Sequence, residues 1–449
     1  MELWKIILEA AIVLVAIGLG VRTGGMGLGL WGVFGTGLLV FGFGLAPGSP
    51  PVSAFFIIIA VISASAAMQS ARGIDYLVGI ASKIIRRNPE RITYVAPFVT
   101  FVFTMGSGTS NIFFALMPVI YETSHRSGVR PERPLTASTV ASGLGITASP
   151  VSAAMAAYLT LLPADFTLAK ILAITVPAAI VSIVAVALIQ SRVGKDLKDD
   201  PEFLRRVEAG IVEPIPARAD ADAQQRDGQG QALPAGAARS AWLFLAGVAV
   251  VVLLGLFDGL RPVVTIGEKT GPLDMSTVIQ LVMFTVALLI ILLNKLDPAD
   301  VIKQPLMTAG LVAAIALFGI AWMADTFISG NQTTIIDPLT EMIKDHPYLV
   351  AVGFFLVVGL TTSQSTATRT IAPIGLSALS PAVVTAMWTS LTGVWLFPAN
   401  GSQIAAVELD KTGSTRLSKF PLYHSFTLPM LVSWVVSVGV GLLMATLVS

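Results

Sequence analysis

The apolar run from residue 92 to residue 121 is interrupted at its centre by Gly106-Ser107-Gly108-Thr109-Ser110-Asn111. A helix crossing the hydrocarbon layer of a bilayer needs about 20 apolar residues. This run is too long for one such span, and its midpoint is the part least suited to a helix. Two half-length helices meeting at a polar tip, a re-entrant hairpin, account for both features. The flanking charges test the idea. The preceding loop, Ser82–Arg91, carries Lys83, Arg86, Arg87 and Arg91 against Glu90, and the following one carries Arg126, Arg130 and Arg133 against Glu122 and Glu132. Basic loops mark the cytoplasmic side. The segment therefore enters and leaves from one side, which a single long tilted helix cannot do.

Working outward, composition places the whole chain in a membrane. Of 449 residues 54% are hydrophobic and only 12% charged, with a mean hydropathy of +0.80. Soluble domains carry roughly 25% charged residues, so the apolar excess faces lipid. The net charge of +1 gives no basic surface for nucleic acid. With no cysteine there is no disulfide or thiolate metal site, and the three histidines (His125, His346, His424) stand far apart without metal-ligand spacing. No metal or cofactor is expected. The apolar run 6–21 continues into further Gly-rich apolar sequence without a small-residue cleavage site, and reads as a first span.

Candidate spans are 6–21, 25–45, 53–71, 92–121, 135–162, 168–191, 240–257, 275–294, 305–324, 348–377, 382–407 and 421–447. Segment 348–377 repeats the anomaly of 92–121, with Thr361-Thr362-Ser363-Gln364-Ser365-Thr366 at its centre. Segments 135–162 and 382–407 are broken at Thr147-Ala148-Ser149-Pro150-Val151-Ser152 and Phe397-Pro398-Ala399-Asn400-Gly401-Ser402-Gln403. Loop charges set the topology. Uncharged 46–52, near-neutral 258–274 and acidic 325–347 suit the periplasm. Loop 295–304 and basic loop 408–420 suit the cytoplasm, and both termini are periplasmic.

The two halves share one plan. Repeat 1 (residues 1–191) has three spans over 6–71, an interfacial helix 72–90, hairpin 92–121, broken helix 135–162 and last span 168–191. A polar cytoplasmic linker, 192–239, follows. Repeat 2 (240–449) has three spans over 240–324, an interfacial helix 326–346, hairpin 348–377, broken helix 382–407 and last span 421–447. Local registers agree too: Asn111 to Pro118 and Thr366 to Pro373 are both seven residues. Because the halves start on opposite sides of the membrane, the repeat is inverted. Such repeats point to a secondary transporter with its site at their interface. The expected fold is thus all-α and polytopic, with a re-entrant hairpin and a broken helix in each inverted repeat.

Unwound backbone at mid-membrane depth is tolerated only inside protein or against a water-filled cavity. Half-helix N-termini there offer converging N–H donors to an anion, and C-termini offer carbonyls to a cation. The polar side chains at the hairpin tips and breaks add neutral donors: Ser107, Thr109, Ser110, Asn111, Thr147, Ser149, Ser152, Ser363, Ser365, Thr366, Asn400 and Ser402. Two related tips suit a solute with two carboxylates. Arg369, three residues past Thr366, is an intramembrane cation and so a candidate substrate ligand. An ion pair with Asp325, Glu408 or Asp410 is the competing role. Gly27-x-Gly29-x-x-Gly32 has the letters of a dinucleotide fingerprint but lies in an apolar span without a preceding strand, so close helix packing is its expected role.

Several stretches resemble one known family. Ile74-Asp75-Tyr76-Leu77-Val78, Ile84-Ile85-Arg86-Arg87-Asn88-Pro89, the tip Gly106–Asn111, Ile146–Ala154 and Thr362–Arg369 are similar to the anaerobic C4-dicarboxylate transporter (Dcu) family, as are Arg22-Thr23-Gly24-Gly25 and Gln69. The likeness spans nearly the whole chain apart from the linker. It implies exchange of fumarate, malate or aspartate for succinate across a bacterial inner membrane. It also implies membership of a wider superfamily of homodimeric, elevator-type carriers, in which the first three spans of each half form a scaffold and dimer face. In a related branch Ser-Asn-Thr triplets hold carboxylates and sodium. Here Thr109-Ser110-Asn111 and Ser363-Gln364-Ser365-Thr366 stand in their places, and coupling to Na+ or H+ stays open.

Three other readings compete with this one. An ion antiporter on this scaffold would use an intramembrane carboxylate, and the tips and broken spans contain no Asp or Glu. A cation-coupled carrier for another organic anion would differ in tip-to-tip distance. A membrane enzyme would need clustered acid, base or metal ligands, which the sequence does not bring together.

Overall fold

The computed structural model describes residues 3–23, 26–163, 165–215, 233–266, 269–331, 341–361, 364–391, 401–416 and 424–448. The first half contains α1 (Leu3–Thr23), α2 (Gly27–Gly37, continued by a π-helical turn to Gly42), α3 (Val52–Ser70), α4 (Gly73–Arg87), α5 (Ile92–Ser107), α6 (Asn111–Arg126), α7 (Glu132–Thr147), α8 (Ala153–Leu159) and α9 (Leu168–Gln190). After it come α10 (Pro201–Glu208), α11 (Ala235–Leu256), strands β1 (Val263–Ile266) and β2 (Lys269–Pro272), α12 (Met275–Asn294), α13 (Pro298–Ile302) and α14 (Pro305–Gly330). The chain closes with α15 (Leu349–Thr361), α16 (Gln364–Ala378), α17 (Pro381–Trp388), α18 (Gly401–Leu409) and α19 (Thr427–Val448).

The molecule is mostly helical; the antiparallel β1–β2 hairpin is a small addition in the loop expected to be periplasmic. Five helices among the described residues have the length and composition to cross a membrane: 168–190, 236–255, 275–294, 305–330 and 427–448. Of the other expected spans, α1 is one continuous helix of 21 residues, α3 is bent into α4, and the rest are shorter or interrupted. Segment 92–121 falls in two helices, α5 and α6, which pack on each other. In the second hairpin α15 ends at Thr361 and α16 begins at Gln364, with residues 362–363 outside the described set. Pro118 lies inside α6 and Pro373 inside α16.

The helices sort into two sets, each drawn from both halves. In one, α3 packs on α12 and α14, α2 on α14 and α1, and α11 on α12 and α4. In the other, α9 packs on α19, α5 on α7, α15 on α16, and α17 on α19. Exchanging each element of the first half for its counterpart maps α3–α12 onto α14–α2, α1–α2 onto α11–α12, and α9–α19 onto itself. The α2–α14 crossing is where the glycine pattern acts. A Cβ added at Gly29 or Gly319 would fall on the opposing backbone, so these glycines serve close helix approach and bind no nucleotide.

After α3 the chain turns by 77° into α4. Arg72 makes the turn in the left-handed region, at φ 60°, and pairs with Asp75 at 2.8 Å. Leu77, Ala81 and Ile85 of α4 are buried while Arg86 and Arg87 lie at its end, the build of an interfacial helix. Its expected counterpart, 326–346, differs. Residues 326–330 prolong α14, helix resumes at 341–345, and 332–340 lie outside the described residues.

The linker also departs from a loose tether. The next span begins at Ala235 rather than 240, and residues 192–215 form a strap docked on the loops beside the hairpins. Arg133 donates to Val193 O (2.8 Å) and Gly194 O (3.0 Å) and pairs with Asp196 (2.7 Å). Arg130 bridges Glu132 (2.6 Å) and Asp200. On the other side Arg206 donates to Lys411 O (3.1 Å). Buried Asp410 accepts from Thr412 N (3.0 Å), Ser414 Oγ (2.7 Å) and Thr415 N (2.7 Å), and Ser414 Oγ accepts from Glu132 N (3.1 Å). Leu197, Phe203 and Val212 form a small core within the strap. Hydrogen bonds from Arg205 and then Arg206 hold the Glu202 carboxyl below its ordinary range. Polar composition alone suggests an unfolded tether; here arginines from the neighbouring loops satisfy the strap's carbonyls and carboxylates.

Candidate functional site

The first tip is made by Gly108. It ends α5 in the left-handed conformation at φ 70°, with its N–H returned to Thr104 O at 2.9 Å, the geometry of a helix C-terminal glycine. A side chain there would be strained and would also place Cβ 2.8 Å from Val151 O. Since Val151 lies in the break between α7 and α8, the first tip sits directly on the first broken helix. Ser107 is buried and directs its hydroxyl to Thr104 O (3.4 Å) or Thr109 O (3.2 Å).

The hydroxyls of that break are occupied with the break itself. Thr147 donates to Leu144 O at 3.0 Å. Ser152 donates to Ile146 O (2.8 Å) and accepts from Met155 N (3.1 Å), closing α7 and capping α8 with one side chain. Ser149 accepts from Val151 N at 3.3 Å. A hydroxyl has one proton to give, and those of Thr147 and Ser152 are spent on main-chain carbonyls. These two are structural donors, whereas the Ser149 proton remains available. All three residues are fully buried.

At the second tip Gln364 opens α16. Its Nε2 donates to Gly143 O of α7 at 3.0 Å and to Leu391 O, three residues past the end of α17. The contacts therefore run in one chain: first tip to first break, α7 to second tip, second tip to the start of the second break. Beneath the second tip lies a buried brace. Thr368 Oγ1 donates to Gln364 O (2.7 Å) and so accepts from Trp388 Nε1 (2.8 Å). The Trp388 ring stacks on Tyr158 of α8 with centroids 4.5 Å apart. Thr385 Oγ1 donates to Pro381 O (2.7 Å), leaving Tyr158 OH to donate to Thr385 (2.9 Å).

Of the other expected residues, Asn111 opens α6, Ser110 and Ser365 sit half-buried at the two tips, and Thr109 lies beside Ser110. Thr366 is buried in the first turn of α16, and Ser402 is the second residue of α18. Ser363 and Asn400 lie outside the described residues. Arg369 projects from α16 toward the end of α8, where its Nη2 donates to Thr160 Oγ1 at 3.2 Å; its buried Nε has no partner. None of the carboxylates considered as its partner forms an ion pair with it among the described residues. Asp325 accepts from Ser49 N (2.6 Å) and Asp410 from its own loop.

Reading the sequence for hydroxyls and charge passed over Gln364, Thr368, Trp388 and Tyr158 as a group. The available signal was Trp388 in the interior of a span, since a buried indole N–H requires an acceptor.

A family model described as anaerobic C4-dicarboxylate membrane transporter matches residues 5–449. The chain belongs to that family. Relatives within it include the anaerobic C4-dicarboxylate transporter DcuB of Escherichia coli O6:H1, 36% identical over 98% of each chain. The C4-dicarboxylate transporter DcuA of Escherichia coli K12 is 36% identical over 94% of this chain and 95% of its own. That of Wolinella succinogenes is 34% identical over 98% and 99%. The YdaH transporter of Alcanivorax borkumensis shares the fold at a TM-score of 0.55 and 12% identity, covering 98% of both chains. A member of the anaerobic C4-dicarboxylate transporter family is a multi-pass membrane transporter and not an enzyme.

Proposed function

We propose that this chain exchanges C4-dicarboxylates across a bacterial inner membrane, taking up fumarate, malate or aspartate against succinate. The observation that carries the proposal is Arg369: a half-buried guanidinium that forms no ion pair among the described residues, Asp325 acting on it only from beyond ion-pair distance, on the helix that begins at the second tip. A charge withheld from water needs a partner, and a carboxylate matches the guanidinium fork. Around it the site is built from neutral donors. The N-termini of α6, α16 and α18 all begin at tips or breaks, which favours an anion. The hydroxyls of Ser110 and Ser365, one at each tip, suit a carboxylate apiece. The names of the relatives support the substrate class.

The site groups further comprise Thr109, Asn111, Ser149, Ser363, Thr366, Asn400 and Ser402, with Ser107, Thr147 and Ser152 shaping the backbone around them. The exchange symmetry of the packing pairs supports an inverted repeat. On that reading the helix set around α5–α9 and α15–α19 carries the substrate in an elevator motion. The set around α1–α3, α11, α12 and α14 is the static scaffold and homodimer face, and both termini are periplasmic. The test is uptake of labelled succinate by proteoliposomes loaded with fumarate, run with and without sodium and across a pH step to separate Na+ from H+ coupling. Uptake no greater than that of empty liposomes would remove the dicarboxylate assignment.

A further inference from the structure

We infer that Asp325 is the second counter-charge of Arg369, engaged when no dicarboxylate is bound, and that it ties the empty carrier to its scaffold so that solute leaves only in exchange for solute. The inference rests on the proposed exchange of dicarboxylates at Arg369. Helix α16 packs on α8, α14, α15 and α17. These five helices contain two charged residues, Arg369 on α16 and Asp325 on α14. The two belong to opposite helix sets, α14 to the proposed scaffold and α16 to the set proposed to move. Asp325 lies beyond ion-pair distance of the guanidinium and still acts on it electrostatically.

The carboxylate is fixed and the cation is not. Asp325 Oδ2 accepts from Ser49 N at 2.6 Å, just before α3. That loop is itself held by α14: Trp322 Nε1 donates to Gly48 O (2.8 Å), and Gly48 N donates to Thr326 Oγ1 (3.0 Å). A Cβ at Gly48 would stand 2.5 Å from Asp325 Oδ2, so a bare backbone is what lets the loop close on the carboxylate. The other oxygen, Oδ1, makes no hydrogen bond among the described residues. Arg369 has one hydrogen bond there, to the neutral hydroxyl of Thr160, whose own proton goes to Ala157 O at 2.8 Å. A cation in a low-dielectric interior draws strongly on the carboxylate within reach. With a dicarboxylate in the site, Arg369 is neutralised within its own set, and that set can slide past α14. With the site empty, the negative charge on the neighbouring helices is that of Asp325, which stays with the scaffold. Attraction across the α14–α16 contact then holds the empty set in place, the physical condition for exchange as opposed to one-way release.

Asp325→Asn in the full chain tests it, since the amide oxygen can still accept from Ser49 N and the charge alone is lost. In proteoliposomes loaded with labelled succinate, efflux into solute-free buffer should rise roughly two- to fivefold over the parent, the range that a partly exposed ion pair commands. Calorimetric titration should show succinate bound more tightly by a similar factor, because a competitor for Arg369 has gone. In an Arg369→Ala background the same substitution should change neither quantity, which separates this role from a merely structural one. A second measurement uses protein already folded and reconstituted. Because the chain contains no cysteine, Asp325→Cys offers a single thiol. Anionic sulfonatoethyl methanethiosulfonate should return efflux toward that of the parent, and uncharged methyl methanethiosulfonate should not. Efflux and affinity both unmoved by Asp325→Asn, or moved equally when Arg369 is absent, overturn the inference, and so does rescue by the uncharged reagent. A parent that neither binds nor exchanges dicarboxylates overturns instead the function assigned to Arg369, a result read before any variant is made.

Discussion

Arg369→Ala should weaken dicarboxylate binding without weakening the fold, and these two signs can be worked out separately. Among the described residues the guanidinium makes one hydrogen bond, to Thr160 at 3.2 Å, and leaves Nε buried without a partner. Removing that bond costs about 1 kcal/mol. Removing a poorly compensated, half-buried cation returns a desolvation penalty of at least similar size, so the unfolding midpoint should stay level or rise. Binding behaves oppositely. Truncating one member of a desolvated charge pair costs about 2–4 kcal/mol, which is a roughly 30- to 700-fold rise in Kd. Arg369→Lys keeps the charge but loses the planar fork and should fall between, near tenfold. The assay is calorimetric titration of purified protein with succinate, paired with thermal unfolding of the same samples. Succinate affinity within twofold of the parent, together with a clearly lowered midpoint, would refute the reasoning and make Arg369 a structural residue.

Gly108→Ala should cost about 2–4 kcal/mol. Left-handed backbone is unfavourable for alanine by about 1–2 kcal/mol, and the added Cβ meets Val151 O at 2.8 Å, an overpacking of comparable size. Exchange activity should fall while helix content by circular dichroism is kept; full activity would separate the tip from the break. Gly319→Val should abolish stable folding, because α2 and α14 meet there backbone to backbone, and normal yield of a monodisperse protein would contradict that crossing. Asp410→Asn replaces a buried acceptor of four hydrogen bonds by a group that turns donors toward donors. It should cost about 2–4 kcal/mol, read as a lowered unfolding midpoint and faster proteolysis of the 192–215 strap. An unchanged midpoint would show that the strap does not depend on this loop.

The two breaks of the first half are marked in the local sequence. Gly106–Asn111 and Thr147–Ser152 hold glycines, a proline and short polar side chains that compete with the helical main chain, and such preferences act within a few residues. Loop charge and apolar length made the order of elements legible by the same local logic. Other features depended on residues far apart in the chain. Gln364 finds Gly143 across 221 positions and Tyr158 stacks on a tryptophan of the other half. Thr147 and Ser152, which resemble ligands in the sequence, turn out to spend their protons on their own break. Arg369 could have paired with any of three carboxylates, and only packing decided that none comes near enough to bond. A hydroxyl or a charge in a sequence states what bonds it can make; which of them it makes depends on the neighbours that folding brings within about 3 Å.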